Sequence, residues 1–128
     1  MTMKLNCSIL TPERTLYEGQ VEFAIVQAHD GEIGFLYNHA PLVSELGVGE
    51  VRLRTANTTD FFYVEGGFVE IKENDLILIC EQAMRKDELV RSEIEYKIND
   101  FTKLDVKERM KLDIELRKLK ARLKVAAR

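Results

Sequence analysis

Through the first two thirds of the chain, apolar and polar positions alternate in short runs. Leu5, Cys7 and Ile9 are separated by Asn6 and Ser8, and Val21, Phe23 and Ile25 resume the alternation around Glu22. A repeat of two is the signature of a strand with one buried face. Pro12 and Gly19 punctuate the stretch between these runs. Asp30 to Asn38, with Gly31 and Gly34, reads as an irregular connection leading into His39-Ala40-Pro41. Val51 and Leu53 then alternate with Arg52 and Arg54, and Asn57 to Asp60 supply a polar turn before Phe61 to Val64. Gly66-Gly67 interrupts the apolar pattern, Phe68 to Lys72 continues it, Glu73-Asn74-Asp75 turns the chain, and Leu76 to Cys80 is rich in branched apolar residues. Many short strands with turns between them, and no helical periodicity among them, predict an antiparallel sandwich or barrel over residues 3–82.

Beyond Ala83 the period lengthens. Val90, Ile94, Ile98 and Phe101 fall on one stripe of a helix. Thr102 to Asp105 breaks the pattern, and Asp105 followed by Glu108 forms a capping box for a second helix. Leu112, Leu116, Leu119 and Leu123 give that helix an apolar stripe of its own. The two stripes predict an antiparallel helical hairpin, and each helix is short enough to depend on packing for its stability. The chain thus divides into a body, residues 1–83, and a tail, residues 84–128, the part most prone to detach or change conformation.

Composition adds limits to this picture. A chain of 128 residues can bury one modest core with a small appendage, which argues against two large domains. The apolar runs are too short for a membrane-spanning helix, and no secretory leader is apparent at Met1-Thr2-Met3-Lys4. Cys7 and Cys80, with no C-x-x-C spacing, read as buried thiols rather than a disulfide or metal ligands. Charge is divided unevenly. Up to Ala83 there are 5 Lys and Arg against 13 Asp and Glu; from Met84 onward there are 14 against 9. The two parts should meet different electrostatic partners, or each other.

Candidate chemistry is sparse. His29 and His39 are the only histidines and belong to no metal motif, so His29 reads as a solvated loop residue and His39 as one that fixes a loop by hydrogen bonding. Gly31-Glu32-Ile33-Gly34 lacks the lysine and spacing of a phosphate loop, and Glu32 would repel a phosphate. The expectation is therefore no catalytic residue, no metal site and no cofactor. The basic tail leaves a nucleic-acid-binding module as an alternative, since clustered Lys and Arg can neutralise phosphates, but its acidic residues and leucine stripe favour a protein-facing helix.

The run Gly31-Glu32-Ile33-Gly34-Phe35-Leu36-Tyr37-Asn38-His39-Ala40-Pro41-Leu42 resembles the most recognisable loop of ATP synthase epsilon subunits, with Tyr37 where that family commonly has proline. Leu10-Thr11-Pro12, Leu46-Gly47-Val48-Gly49 and Gly66-Gly67-Phe68-Val69-Glu70 extend the resemblance, and Ala121 to Ala126 adds a weaker match. It spans nearly the whole chain and implies a sandwich of about ten antiparallel strands followed by a helical hairpin. It also implies a non-catalytic subunit that couples the gamma subunit of the central stalk to the c-ring. The family's tail can restrain ATP hydrolysis, and the resemblance implies contacts of the C-terminal helices with alpha and beta subunits. Carried onto this chain, the interface candidates are His39, Pro41, Leu42, Gly66, Gly67 and Phe68 in the body and Lys111, Lys118, Arg122 and Lys124 in the tail. The implied location is peripheral, on the cytoplasmic face of a bacterial plasma membrane or the stromal face of a thylakoid. Some family members bind ATP through a motif resembling [Ile/Leu]-Asp-x-x-Arg-Ala. The nearest stretch here, Leu89 to Ile94, puts Val90 at the aspartate, Glu93 at the arginine and Ile94 at the alanine, which disfavours phosphate binding.

Overall fold

The computed structural model describes residues 3–128. Eight strands come first: β1 (Leu5–Leu10), β2 (Thr15–Val21), β3 (Phe23–Ala28), β4 (Gly31–Phe35), β5 (Leu42–Glu45), β6 (Val48–Thr55), β7 (Thr58–Lys72) and β8 (Asp75–Arg85). A 3-10 turn (Lys86–Glu88) leads into helices α1 (Arg91–Thr102), α2 (Val106–Lys111) and α3 (Asp113–Ala126). The strands form a mixed sheet in the order β2-β1-β8-β7-β6-β3-β4, folded into a sandwich, with β5 added on β7.

The expectation of about ten antiparallel strands is corrected in number and in one pairing. β7 and β8 are long and run through both layers, so each does the work of two strands. Gly66-Gly67 sits inside β7 rather than ending it. Phe62 and Val64 point into the core before the glycines and Val69 and Ile71 after them; on β8, Ala83 gives way to Cys80, Leu78 and Leu76. Both strands therefore change face at the same level. Gly66 (φ 61°) and Gly67 (φ 101°) carry β7 through the change. A Cβ at Gly67 would lie 1.9 Å from the carbonyl oxygen of Ile79, so no other residue fits that crossing. β1 and β8 are the parallel pair, with Cys7 level with Leu76.

Two further expectations change. The segment read as an irregular connection contains β4, paired with β3 from Ala24–Phe35 to Ala28–Gly31; its two glycines conceal the alternation of a strand that is paired along its length and anchored in the core by Phe35. The second helix is broken at Leu112 (φ −111°, ψ 18°) into α2 and α3.

The core lies between the layers. Leu5, Ile9, Val21, Val26, Val51, Leu53, Val64 and Leu78 are fully buried there, each burial contributing roughly 1.5–3 kcal/mol. Cys7 and Cys80 belong to this core as free thiols, and burial pushes each up to about 12. The tail packs differently. α1 lies against α3, and α3 lies against β6 and β7. Ile94, Leu119 and Val125 are its buried apolar residues, whereas Val90 caps α1 and Leu112 occupies the helix break, both substantially exposed. Asp105 caps α2 as expected, its Oδ1 accepting from the Glu108 N–H at 2.8 Å.

Candidate functional site: two outer walls of the sandwich

Because β7 alternates, residues not aimed at the core line an outer wall. On one layer that wall carries Tyr63 and Glu65 from β7 and Glu50 and Arg52 from β6, with Glu50 level with Tyr63 and Val48 with Glu65. α3 covers it. Glu65 is 6% exposed and accepts from Arg122 Nη2 at 2.7 Å and from Lys118 Nζ at 3.0 Å. The Arg122 guanidinium also stands 5.1 Å over the Tyr63 ring. Glu50 accepts from Arg128 in bidentate fashion, both bonds at 2.8 Å, and Arg128 stands 5.2 Å over Phe61. Val125, between these ion pairs, is fully buried.

Burial alone would raise the Glu65 carboxyl, but the hydrogen bonds from Arg122 and Lys118 outweigh it and hold the group below its ordinary 4.5. Lys118 is pushed up by its bond to Glu65, and Arg128 by its bonds to Glu50. Tyr63 is pushed up by burial first and by the neighbouring Glu65 charge. Glu65 is therefore held as a carboxylate by two cations of the tail, while a third, Arg128, pairs with Glu50.

The outer wall of the other layer is uncovered. Phe68 on β7 lies between Glu45 on β5 and Ile79 on β8, and Val43 lies beside Glu70 in the next row. Val43, Phe68 and Ile79 are 63%, 52% and 57% exposed. Three large apolar side chains in neighbouring rows form a patch suited to association. A shallow groove of about 340 Å³ borders it, lined by Pro41, Leu42, Val43, Glu70, Ile71 and Lys72.

Of the body candidates, Phe68 projects from this wall, Pro41 and Leu42 open β5 beside it with Leu42 packed on the core, and Gly66 and Gly67 shape the crossing beneath it. His39 fixes the entry loop: its Nδ1–H donates to the Ala40 carbonyl at 2.6 Å and its ring packs on Phe35 with centroids 5.1 Å apart. Asn38, at φ 65°, donates its N–H to Asn74 Oδ1 at 2.7 Å, tying that loop to the β7–β8 turn. The tail candidates separate. Lys111 and Lys124 are exposed, whereas Lys118 and Arg122 turn inward onto Glu65. Glu65, Glu50 and Arg128 were not singled out from sequence; the available signal was an acidic residue following the apolar run Phe61 to Val64.

A second cavity, about 650 Å³, lies between the start of β7, the 3-10 turn and the end of α3. Two of the three cations that line it are already engaged: Arg85 donates to the Leu16 carbonyl at 2.9 and 3.2 Å and Arg128 holds Glu50. At the Leu89 to Ile94 stretch, Ile94 is buried and Arg91 pairs with Glu95 at 3.0 Å. No cluster of three or more metal-ligating side chains occurs among the described residues, and no helix among them is long and apolar enough to cross a membrane.

Comparison with known proteins agrees with this architecture. The family of the ATP synthase Delta/Epsilon chain beta-sandwich domain matches residues 4–86. The ATP synthase epsilon chain of Leptospira borgpetersenii serovar Hardjo-bovis is 34% identical over 125 residues, covering 98% of this chain and 97% of the relative. That of Leptospira interrogans serovar copenhageni is 38% identical over 126 residues with the same coverage. Among solved structures, a chain of the Euglena gracilis mitochondrial ATP synthase shares the fold with a TM-score of 0.84 at 16% identity, covering 100% of this chain and 84% of that one. With a sandwich, a helical tail and near full-length similarity in agreement, the chain belongs to the ATP synthase epsilon chain family, whose members are non-catalytic coupling subunits.

Proposed function

We propose that the uncovered wall of β5, the second half of β7 and β8 docks the body onto the gamma subunit and c-ring, so that this subunit links the central stalk to the rotor ring. The carrying observation is the exposed set Val43, Phe68 and Ile79 beside the His39–Leu42 loop. An apolar centre with Glu45 and Glu70 around it has the anatomy of a protein interface, a desolvated middle inside a polar rim. Residues 1–83 suffice for this contact, and residues 84–128 form a separable regulatory unit. Membership of the family places the work of the chain at a membrane-bound synthase; the orientation that goes with docking is peripheral, on the side of the membrane where the catalytic sector stands.

The test is co-purification of the gamma subunit with the full-length chain and with a Phe68→Glu/Ile79→Glu variant. A charge at either site is desolvated on docking, so the variant is expected to lose at least about tenfold in affinity. Undiminished binding by a folded variant overturns the assignment of this wall.

A second element concerns the tail. Its docking rests on Glu65 with Lys118 and Arg122, so its departure would free both cations, together with the exposed Lys111 and Lys124, for the acidic surfaces of alpha or beta subunits. The docked tail is then the permissive state and the extended tail the one that restrains hydrolysis. In a reconstituted complex of verified assembly, Glu65→Gln lowers ATP hydrolysis and deletion of residues 84–128 raises it. Equal hydrolysis in all three complexes contradicts this role.

A further inference from the structure

The ion pair that holds the end of the tail belongs to a longer chain of charges. Arg128 binds Glu50 at 2.8 Å, Glu50 lies 3.8 Å from Arg52 Nε, and Arg52 Nη2 binds Glu32 at 2.8 Å. The signs alternate across β6, β3 and β4, from Arg128 just beyond α3 to the sheet edge. From Glu50 outward, exposure rises. The Glu50 side chain is 7% exposed, that of Arg52 29% and that of Glu32 49%. Glu32 stands on β4, the edge strand of the layer, where a neighbouring molecule can reach it.

We propose that Arg52 couples the β4 edge to tail docking: a cationic group of a partner surface that takes Glu32 releases Arg52 onto Glu50, where it competes with Arg128 and loosens α3. The physical reason is that Glu50 is sheltered and offers one negative charge. While Glu32 neutralises Arg52, Glu50 is left to Arg128. Once Glu32 is occupied, two guanidinium groups share one carboxylate and repel each other in a medium that screens them poorly. The coupling is reciprocal, so a docked α3 leaves Glu32 committed to Arg52 and less available to the partner. A contact at one edge of the body thereby sets the state of the tail without any contact to the tail. The inference needs only the docked tail seen in the structure and does not depend on which subunit the uncovered wall binds.

Neighbouring positions in an alternating chain respond with opposite signs, which a merely structural role would not produce. In the full-length chain, backbone amide exchange across residues 118–126 reports how often α3 leaves the wall. Glu32→Gln is expected to accelerate that exchange about two- to fivefold, and Glu32→Lys, which imitates the bound cation, more strongly. Arg52→Gln is expected to slow it about twofold, because Arg128 then holds Glu50 without a competing guanidinium. The double variant Glu32→Gln/Arg52→Gln should match Arg52→Gln alone, since the relay passes through that guanidinium. Unchanged exchange of the core amides of β1, β7 and β8 confirms that each variant is folded. Acceleration by both single substitutions, additive effects in the double variant, or no response to Glu32→Lys would overturn the coupling.

Discussion

The body and the tail bury surface of different kinds. Between its layers the sandwich buries a near-continuous set of aliphatic side chains, many with no exposure at all. The tail buries only Ile94, Leu119 and Val125 among its described apolar residues, and its hold on the body includes Glu65 with Lys118 and Arg122 and Glu50 with Arg128. Apolar burial holds no charge for salt to screen or protons to neutralise, whereas charge pairing answers to both. The body is therefore expected to stay folded under conditions that release the tail. The uneven charge of the sequence, acidic body and basic tail, is the same fact seen in one dimension.

The largest effect should come from the body. Gly67→Ala forces a Cβ into the Ile79 carbonyl and is expected to cost roughly 3–5 kcal/mol of folding stability, read as the urea midpoint by circular dichroism. A midpoint near that of the parent would mean that the crossing of β7 and β8 is not the fixed feature described above.

Glu65→Ala comes next. It leaves two sheltered cations without a partner and should weaken tail docking by about 2 kcal/mol, less than a fully buried pair because Lys118 and Arg122 keep 27% and 24% of their side chains in water. Accelerated exchange in α3 with an unchanged unfolding midpoint of the body is the expected signature. Equal losses in both regions would mean that body and tail unfold as one unit.

Acid should separate the two regions more gently. The folded Glu65 carboxyl lies below its ordinary 4.5, so its contribution is complete above that pH and declines as the pH falls through the folded value. Amide exchange in α3 should rise in that range while β1, β7 and β8 stay protected. The smallest effect belongs to the exposed pair Arg91–Glu95, with 64% and 51% of the side chains exposed; Arg91→Ala should change stability by less than about 0.5 kcal/mol.

How much of this was legible in the sequence depended on what carries each feature. Strands with one buried face, such as β1 and β6, declared themselves by alternation, and the Asp105 cap and the helical tail by spacing. In β3 the alternation of Phe23 and Ile25 picked the wrong face, because the smaller Ala24 and Ala28 flank Val26 on the buried one and Val21 belongs to β2. β4 did not, because Gly31 and Gly34 contribute no side chain to a pattern and the strand is held by pairing with β3. The helix break at Leu112 was hidden by an unbroken leucine spacing; the residue belongs to the stripe in sequence and leaves it in space. For the walls, the loop at His39 and the double glycine drew attention to the side of the body where the uncovered wall lies. Lys118 and Arg122 read as free cations because their partner, Glu65, lies more than fifty residues earlier in the chain. Long-range ion pairs leave no local period, only a complementary charge balance between two segments.

The claim that the two outer walls have different duties is tested most directly by amide exchange of the full-length chain, alone and bound to the gamma subunit. Binding should protect residues 42–45, 68–72 and 76–80 on the uncovered wall and leave β6 and residues 58–65 of β7, beneath the tail, as they were. Protection appearing on β6 and residues 58–65 with none on β5 and residues 76–80 would contradict the account, since the stalk would then occupy the wall that the tail covers.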